Sequence, residues 1–484
     1  MKRRISLISV FALLFFVVLV TITSCSKKSP VDHVTPPPVT PVTPLKTDVA
    51  MWLTTADRGT LFEKQNVSLL FSDATNSNTT ITVDGDTQYQ SIDGFGFALT
   101  GGSASLINKL PADQKADLLR ELFAADSTYI GISYLRISIG ASDMSAADFT
   151  YDDVSGTDVN LGSFSIDAEK TDLVPVLKQI IAINPTIKIV ATPWTAPAWM
   201  KTNNSFSQGS LKPEYYDAYA KYFVKYIQAM KAQGITIDAI TPQNEPLNAN
   251  NNPSMVMQPI EEENFVKNSL GPQFQTAGLT TKIIVYDHNA DRTDYPLTIL
   301  ADPQASQYVD GSAFHLYLGQ ISALASVHNA YPTKNLYFTE QYTASTGSFS
   351  GDLSWHINNL IIGATRNWCR NVIEWNLASD PSFGPHTTGG CSTCQGAITI
   401  SPSVSRNVSY YIIAHASKFV RPGAVRIASD NLTTLPNVAF KNTDGSKVLI
   451  VLNTTNSSLP FNIKYNSKIV TSTLAGGAVA TYKW

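Results

Sequence analysis

Charge is scarce in this chain. Only 15% of its 484 residues are Asp, Glu, Lys or Arg, and 35 basic residues against 38 acidic ones leave a net charge of −3. No basic face is available to neutralise phosphates, which excludes nucleic acid as a partner. Cysteine is scarcer still, at four residues. A structural zinc site wants four ligands, so the "CSTC" pair Cys391 and Cys394, with one further cysteine near it in sequence, is a poor metal site. It reads as a local disulfide pinning a loop in an oxidising compartment, with redox exchange as the other use of the motif. Cys369, in "TRNWCRNV", reads as a buried free thiol.

The fourth cysteine closes "MKRRISLISVFALLFFVVLVTITSC", which has a basic start, an apolar run and then small residues. That is the build of an export signal. The run is also long enough for a membrane anchor, but Ile22-Thr23-Ser24-Cys25 resembles a bacterial lipoprotein signal, in which the cysteine becomes the lipidated first residue. On this reading 1–24 is removed and Cys25 carries a lipid anchor. Residues 25–47, with "SPVDHVTPPPVTPVTPL", form an extended Pro/Thr tether. The expected location is the outer membrane, on its periplasmic or outer face.

Beyond the tether, short apolar runs alternate with longer helical segments. The runs are "QSIDGFGFAL" (90–99), "SYLRISIG" (133–140), "IKIVATPW" (187–194), "DAITPQNEP" (238–246), "KIIVYDHN" (282–289), "GSAFHLY" (311–317), "NLYFTEQY" (335–342) and "NVIEWNLA" (371–378). Between them lie stretches such as "PEYYDAYAKYFVKYIQAMKAQG" (213–234), with apolar residues at helical spacing and a glycine suited to a C-cap. Eight strands alternating with helices predict an α/β fold, a (β/α)8 TIM barrel, over 91–402.

In that fold the C-terminal strand ends surround the active site. Here they carry Arg136, Trp194, Asn244, Glu245, Asp287, His315, Tyr317, Glu340 and Trp375. The set holds acids, amides and aromatics, without clustered metal ligands or a Ser beside a His, so no metal and no cofactor is expected. Two carboxylates among aromatics is what glycoside hydrolysis needs: one acid protonates the leaving oxygen, and the other attacks the anomeric carbon or activates water.

The motifs "TPWTAPAWMK", "TPQNEP", "HLY", "FTEQY" and "EWNLA", in this order and spacing, resemble glycoside hydrolase family 30, which includes glucosylceramidases and β-1,6-glucanases. The resemblance spans most of residues 80–484. It implies a retaining enzyme with the acid/base after strand 4 and the nucleophile after strand 7, which are Glu245 and Glu340 here. Asn244 would then hydrogen-bond the sugar 2-hydroxyl, and Pro246 would restrict Glu245 to extended backbone geometry. Arg136 is either structural or the cation that keeps Glu340 ionised, and the negative Glu340 is expected to raise the pKa of Glu245. Trp194 and Trp375 are core aromatics or a sugar-stacking wall and floor. One of His315 and Tyr317 is expected to bond Glu340. Asp287 holds a substrate hydroxyl or caps the next helix. In glucosylceramidase-like members the "GFG" motif runs on to a sugar-gripping aspartate; the aligned position here is Gly101, with Asp93 as a candidate substitute.

The family also carries a β-strand side domain. "VSLLFSD", "TTITVDG" and the tail from Lys447 read as alternating strands, so residues 48–90 and 403–484 are expected to form one discontinuous β-sandwich. A carbohydrate-binding module is the other reading of the tail, which lacks an aromatic platform. Asn371 to Ser405 contains no Lys or Arg, which disfavours an acidic xylan unless another loop supplies the cation. The expected substrate is a β-glucan, above all β-1,6-linked, with a glucosylceramide-like β-glucoside as runner-up. The chain is read as a monomer, and a non-catalytic glycan-binding lipoprotein is the reading from another class.

Overall fold

Eight short parallel strands close on themselves: β1 (Gly94–Ala98), β2 (Tyr134–Ser138), β3 (Lys188–Thr192), β4 (Ala239–Ile240), β5 (Lys282–Asn289), β6 (Val309–His315), β7 (Asn335–Glu340) and β8 (Cys369–Glu374). The computed structural model describes residues 44–126 and 128–484. The leader, Cys25 and the tether as far as residue 43 therefore lie outside the described residues. Among those described, no helix is long and apolar enough to cross a membrane.

Six strands sit inside the apolar runs and two, β6 and β8, begin two residues before theirs, and β1 and β2 are buried along their whole length. Burial on both faces is what a parallel sheet wrapped in helices demands, and it explains runs without polar alternation. Gly96 in the "GFG" stretch lets β1 and β2 approach, since a Cβ there would lie 1.9 Å from the Tyr134 carbonyl oxygen. The helix Tyr216–Ala232 buries Tyr219, Tyr222, Phe223, Tyr226 and Met230, one face at helical spacing, and Gly234 follows it at φ 81°.

Inside the barrel, side chains stack in layers because successive strand residues alternate in facing. One apolar layer takes a residue from each of seven strands: Tyr134, Val190, Ala239, Ile284, Ala313, Tyr337 and Ile373. Two residues further along six of these strands come Arg136, Thr192, Thr241, His315, Thr339 and Trp375. On β5 the alternation breaks. Tyr286 and Asp287 have φ of 79° and 58°, and the pairing with β6 shifts register between Tyr286 and His288. This bulge brings Asp287, rather than Tyr286, into the polar layer.

The expected discontinuous side domain is present. Ala50–Thr54 pairs antiparallel with Val479–Lys483, while the long strand Thr79–Ser91 pairs with Leu459–Tyr465 through its first part and with Val425–Ser429 through the rest. Ile81, Val451, Phe461 and Tyr482 are among the side chains of its separate core. Two expectations need correcting. "VSLLFSD" is not a strand: it runs irregularly, with one isolated bridge between Ser72 and Ile469. The barrel also runs past residue 402, because the helix Val408–Ser417 packs on β1 and on the helix Phe349–His356. All ten of its residues are buried, some against the sandwich, so it shows no polar face to mark a boundary.

Candidate active site

The polar layer is built around one guanidinium. Arg136 is fully buried, with Nη1 2.5 Å from Glu340 Oε2 and Nη2 2.8 Å from Asp287 Oδ2 and 2.7 Å from Asn244 Oδ1. Trp194 and Trp375 lie over it, with centroids 4.9 and 5.8 Å from its central carbon. Burial alone would lower its pKa, but Asp287 and Glu340 hold it above the ordinary arginine range. A buried cation needs such partners, because an uncompensated one costs several kcal/mol, roughly 3–5 when a partner is removed.

Asp287 is the second hub. It accepts from Arg136, from Thr241 Oγ1 at 2.8 Å and from Thr339 Oγ1 at 2.6 Å, with His315 Nε2 3.2 Å away. Burial would raise its pKa, yet Arg136, His315 and Thr339 hold it well below the carboxylate range. It is fully buried, and the next helix, Asp294–Ala301, follows Thr293. Asp287 therefore neither holds substrate nor caps a helix, contrary to both expectations; the bulge turns it inward beneath the site.

Above these groups stand Glu245 and Glu340, each 7% exposed, in the wall of an open cleft of about 730 Å³. Glu245 Oε1 faces His315 Nδ1 at 3.2 Å, and its Oε2 accepts from Asn248 Nδ2 at 2.8 Å. Glu340 Oε1 accepts from the Tyr317 hydroxyl at 2.9 Å, while His315 Nδ1 stays 3.8 Å from it. Of His315 and Tyr317, it is the tyrosine that bonds Glu340. The expected extended geometry before Pro246 is absent: Glu245 has φ 44°, in the left-handed region. Its N–H donates to the Asp287 carbonyl and its own carbonyl accepts from Asn248, which hold that turn.

The electrostatics join three carboxylates to two cations. Burial works against a charge on His315, but Glu340, Asp287 and Glu245 push its pKa up to about 9. Burial would raise Glu245, but the hydrogen bond and charge of His315, with His288 and Asn248, bring it down to about 2. This opposes the expectation that Glu340 would raise Glu245. The physical reason is the protonated His315, whose hydrogen bond and charge favour the Glu245 anion more than burial opposes it. The two residues keep one proton in common across neutral pH. Burial and the Glu245 charge lift Glu340, against His315, Arg136 and Tyr317, which favour its anion.

Trp375 lines the cleft, whereas Trp194 stands 2% exposed behind it, its ring centroid 5.4 Å from that of Trp375. The expected sugar-stacking wall is corrected accordingly: Trp194 is a cover for Arg136. Asn244 is also nearly buried, its Oδ1 engaged by Arg136 and its amide nitrogen without a partner among the described residues.

Sequence reasoning missed Asp143, in the loop after β2. It lines the cleft at 6% exposure with Oδ1 unpaired, and burial together with Glu340 and Glu245 pushes its pKa up to about 7. It lies close to the Gly101–Gly102 turn, where Met144 O would be 2.6 Å from a Cβ on Gly102 and Ser145 Oγ 3.1 Å from one on Gly101. An acid directly before the residues that pack on Gly101 and Gly102 thus lines the cleft. Asp93 does not replace the acid absent at Gly101, because it precedes β1 at the opposite end of the barrel and pairs with Arg370 at 2.7 Å. Cys391 and Cys394 form a disulfide that lines the cleft beside Asp143, and Cys369 is a buried free thiol. The cleft does have one arginine, Arg292 from the loop after β5, held by Asp294 at 2.9 Å.

Glu245, His315 and Glu340 offer ligand atoms within 4.8 Å of one another, the one such metal-capable group among the described residues. A cation fits poorly there. Arg136 already occupies Glu340 Oε2, and both His315 nitrogens are engaged, by Glu245 and Asp287.

A (β/α)8 barrel with two buried carboxylates at the mouth, one on an arginine and the other on a histidine, defines an O-glycosyl hydrolase. Residues 92–420 match the glycosyl hydrolase family 30 TIM-barrel domain and residues 423–482 the family's beta sandwich domain, and the chain belongs to glycoside hydrolase family 30. Among curated relatives, the endo-1,6-beta-D-glucanase neg1 of Aspergillus fumigatus is 36% identical over 394 residues, 75% of this chain and 79% of the relative. The lysosomal acid glucosylceramidase of Mus musculus is 28% identical over 454 residues, 87% of this chain and 86% of that one. Among solved structures, the endo-beta1,6-glucanase BT3312 superposes with a TM-score of 0.85 at 40% identity, covering 91% of this chain and 99% of that one.

Proposed function

We propose that this protein cleaves β-1,6-linked glucan with retention of configuration at the anomeric carbon. The observation that carries the mechanism is the separation of the two glutamates, whose nearer oxygens lie within 4.8 Å. Retaining pairs stand about 5–5.5 Å apart between carboxyl groups, closer than inverting pairs, and an approach of the nearer oxygens to within 4.8 Å is in keeping with that shorter spacing. The linkage is supported by the similarity to proteins named endo-1,6-glucanases.

Glu340 Oε1 or Oε2 attacks the anomeric carbon as Glu245 gives its proton to the departing glycosidic oxygen, forming a glycosyl ester on Glu340. Glu245, now a base, takes a proton from water as the water oxygen attacks that carbon and expels Glu340. The shared His315–Glu245 proton suits the first step. Resting on Glu245, it provides the acid and removes the negative charge that lifts Glu340. The His315 charge is lost in the same move, but Arg136 and Tyr317 remain to hold Glu340 as an anion. Asp143, with an unpaired buried oxygen, grips a hydroxyl of the sugar being cleaved, and Trp375, which lines the cleft, forms part of its platform.

A panel of β-1,6-glucan, β-1,3-glucan, xylan and glucosylceramide tests the reading by release of reducing sugar. Release from β-1,6-glucan first and fastest is expected. Preference for glucosylceramide would favour the glucosylceramidase-like alternative, and binding without release would make the protein a glycan binder. A slow fluorosugar should leave a covalent adduct on Glu340 by peptide mass spectrometry.

The "ITSC" pattern supports a lipid on Cys25 and an outer-membrane position, which would hold the enzyme at the cell envelope where glucan arrives. Membrane-fraction protein should carry acyl chains on a peptide beginning at Cys25, and Cys25→Ser should abolish them.

A further inference from the structure

His288 lies in the cleft wall directly after Asp287, and beyond its charge effect on Glu245 it takes no part in the chemistry above. It is 8% exposed, lines the cleft, and its Nδ1 is buried without a hydrogen-bond partner. No described residue bonds its Nε2 either. The ring lies near those of Tyr286 and His315, with centroids 5.8 and 6.3 Å away, and feels the charges of Glu245, Asp291 and Asp287. Burial lowers its pKa to about 4, so at neutral pH it is an uncharged imidazole with one N–H donor and one acceptor, both unused by the protein. Buried polar groups in folded proteins are nearly always paired, and an unpaired one in a ligand cleft calls for an explanation.

Its place in the barrel says which part of a substrate would pair with it. Glu245 follows β4, and His288 stands near the end of β5, the adjacent strand. Glu340 ends β7, and the Trp375 edge and the Cys391–Cys394 wall come from β8 and its loop. The leaving oxygen must lie on the side of the acid that protonates it. Beyond Glu245 on that side, the cleft is lined by Leu247 and Asn248 after β4, by His288 near the end of β5 and by Asp291 and Arg292 after it.

We infer that His288 is a specificity-determining residue that hydrogen-bonds a hydroxyl of the leaving-group sugar, the unit whose oxygen Glu245 protonates. The inference rests on the proposed glucanase function and adds to it the residue that reads the departing sugar. Discrimination by such a group is strong, because a leaving group without the hydroxyl leaves the imidazole desolvated and unpaired.

The test compares two substrates with the same non-departing sugars: a β-1,6-linked gluco-oligosaccharide, and the aryl glycoside in which the departing sugar is replaced by a nitrophenol. For His288→Ala and His288→Leu, kcat/KM on the oligosaccharide is expected to fall roughly 10- to 100-fold further than on the aryl glycoside, the range typical of a buried polar pairing. His288→Gln keeps a donor and an acceptor and should recover part of the loss; it also stands in if the apolar variants fail to fold. Equal losses on both substrates would place the ring behind Glu245 rather than against the sugar, and no loss on either would leave it without a role; each overturns the inference alone. An unsubstituted protein that cleaves neither substrate refutes the glucanase reading, and this role with it.

Discussion

Two layers of the barrel interior, one step of the strand alternation apart, are built from the same strands to opposite ends. The lower takes Tyr134, Val190, Ala239, Ile284, Ala313, Tyr337 and Ile373 and carries no charge. The upper takes Arg136, Asp287 and His315 with their threonines, all buried as deeply. An apolar layer stabilises through area removed from water, about 25 cal/mol per Å². A charged layer of this kind returns little net stability, since desolvation offsets most of the attraction. What it supplies is orientation of two glutamates. Substitutions in the upper layer should therefore lose activity whether or not they cost stability, and substitutions in the lower layer should cost stability while sparing activity.

The largest effect expected is at Glu340. Glu340→Gln should reduce kcat on β-glucan by a factor on the order of 10⁴ or more, while the thermal midpoint falls less than in Asp287→Ala, because relief of repulsion with Glu245 offsets part of the charge lost beside Arg136. A matching fall in midpoint would break the contrast between the layers. Next comes Asp287→Ala, which strips Arg136 of one partner and His315 of another. Here both readouts should drop, stability by about 3–5 kcal/mol in denaturant unfolding, and kcat with it. Ile284→Ala, directly below, should cost about 2–4 kcal/mol in the same measurement but leave kcat/KM within roughly twofold. A large catalytic loss there would mean that the apolar layer also positions the site.

The pH profile sharpens the same contrast. The His315–Glu245 proton is retained until pH rises through about 9, so kcat/KM should fall on that alkaline side, about tenfold per unit. On the acid side, activity should fall as Glu340 takes up a proton, at a pH above the ordinary 4.5 because its pKa is raised. Stability follows the sign of the histidine shift. A folded pKa raised above 6.5 contributes stability that is fully present below 6.5 and disappears as pH rises through about 9. Ile284→Ala should leave both limbs unmoved. Smallest is the cleft wall: Cys391→Ser with Cys394→Ser should raise KM only a few-fold, measured on the oligosaccharide, with kcat nearly unchanged.

The barrel was legible in the sequence because each buried parallel strand is a short apolar run, and eight of them recur between helical segments. Glu245 and Glu340 were legible because they stand at strand ends in dense motifs. The facing of Asp287 was not, because period-two reasoning holds only until a bulge inserts a residue, and "IIVYDHN" shows nothing that marks one. Asp143 escaped for a different reason: it belongs to a loop after β2, where no periodicity points and "GASDMS" reads as any polar turn. Trp194 was misplaced because a strand-end aromatic carries no sign of whether it covers substrate or a neighbouring guanidinium. The left-handed turn at Glu245 is held by the Asp287 carbonyl, distant in sequence, and by Asn248 close by, which override the preference that a following proline imposes.

The pairing of Ala50–Thr54 with Val479–Lys483 bears on the order of events during synthesis. A ribosome delivers the first of these strands more than four hundred residues before its partner. Until then that strand has an open edge, and edges recruit other chains. The barrel has by then all eight of its strands, so the catalytic half can assemble while the side domain waits. A chain shortened by its last six residues should consequently emerge with a formed cleft and a sticky flank, prone to association rather than to simple loss of fold.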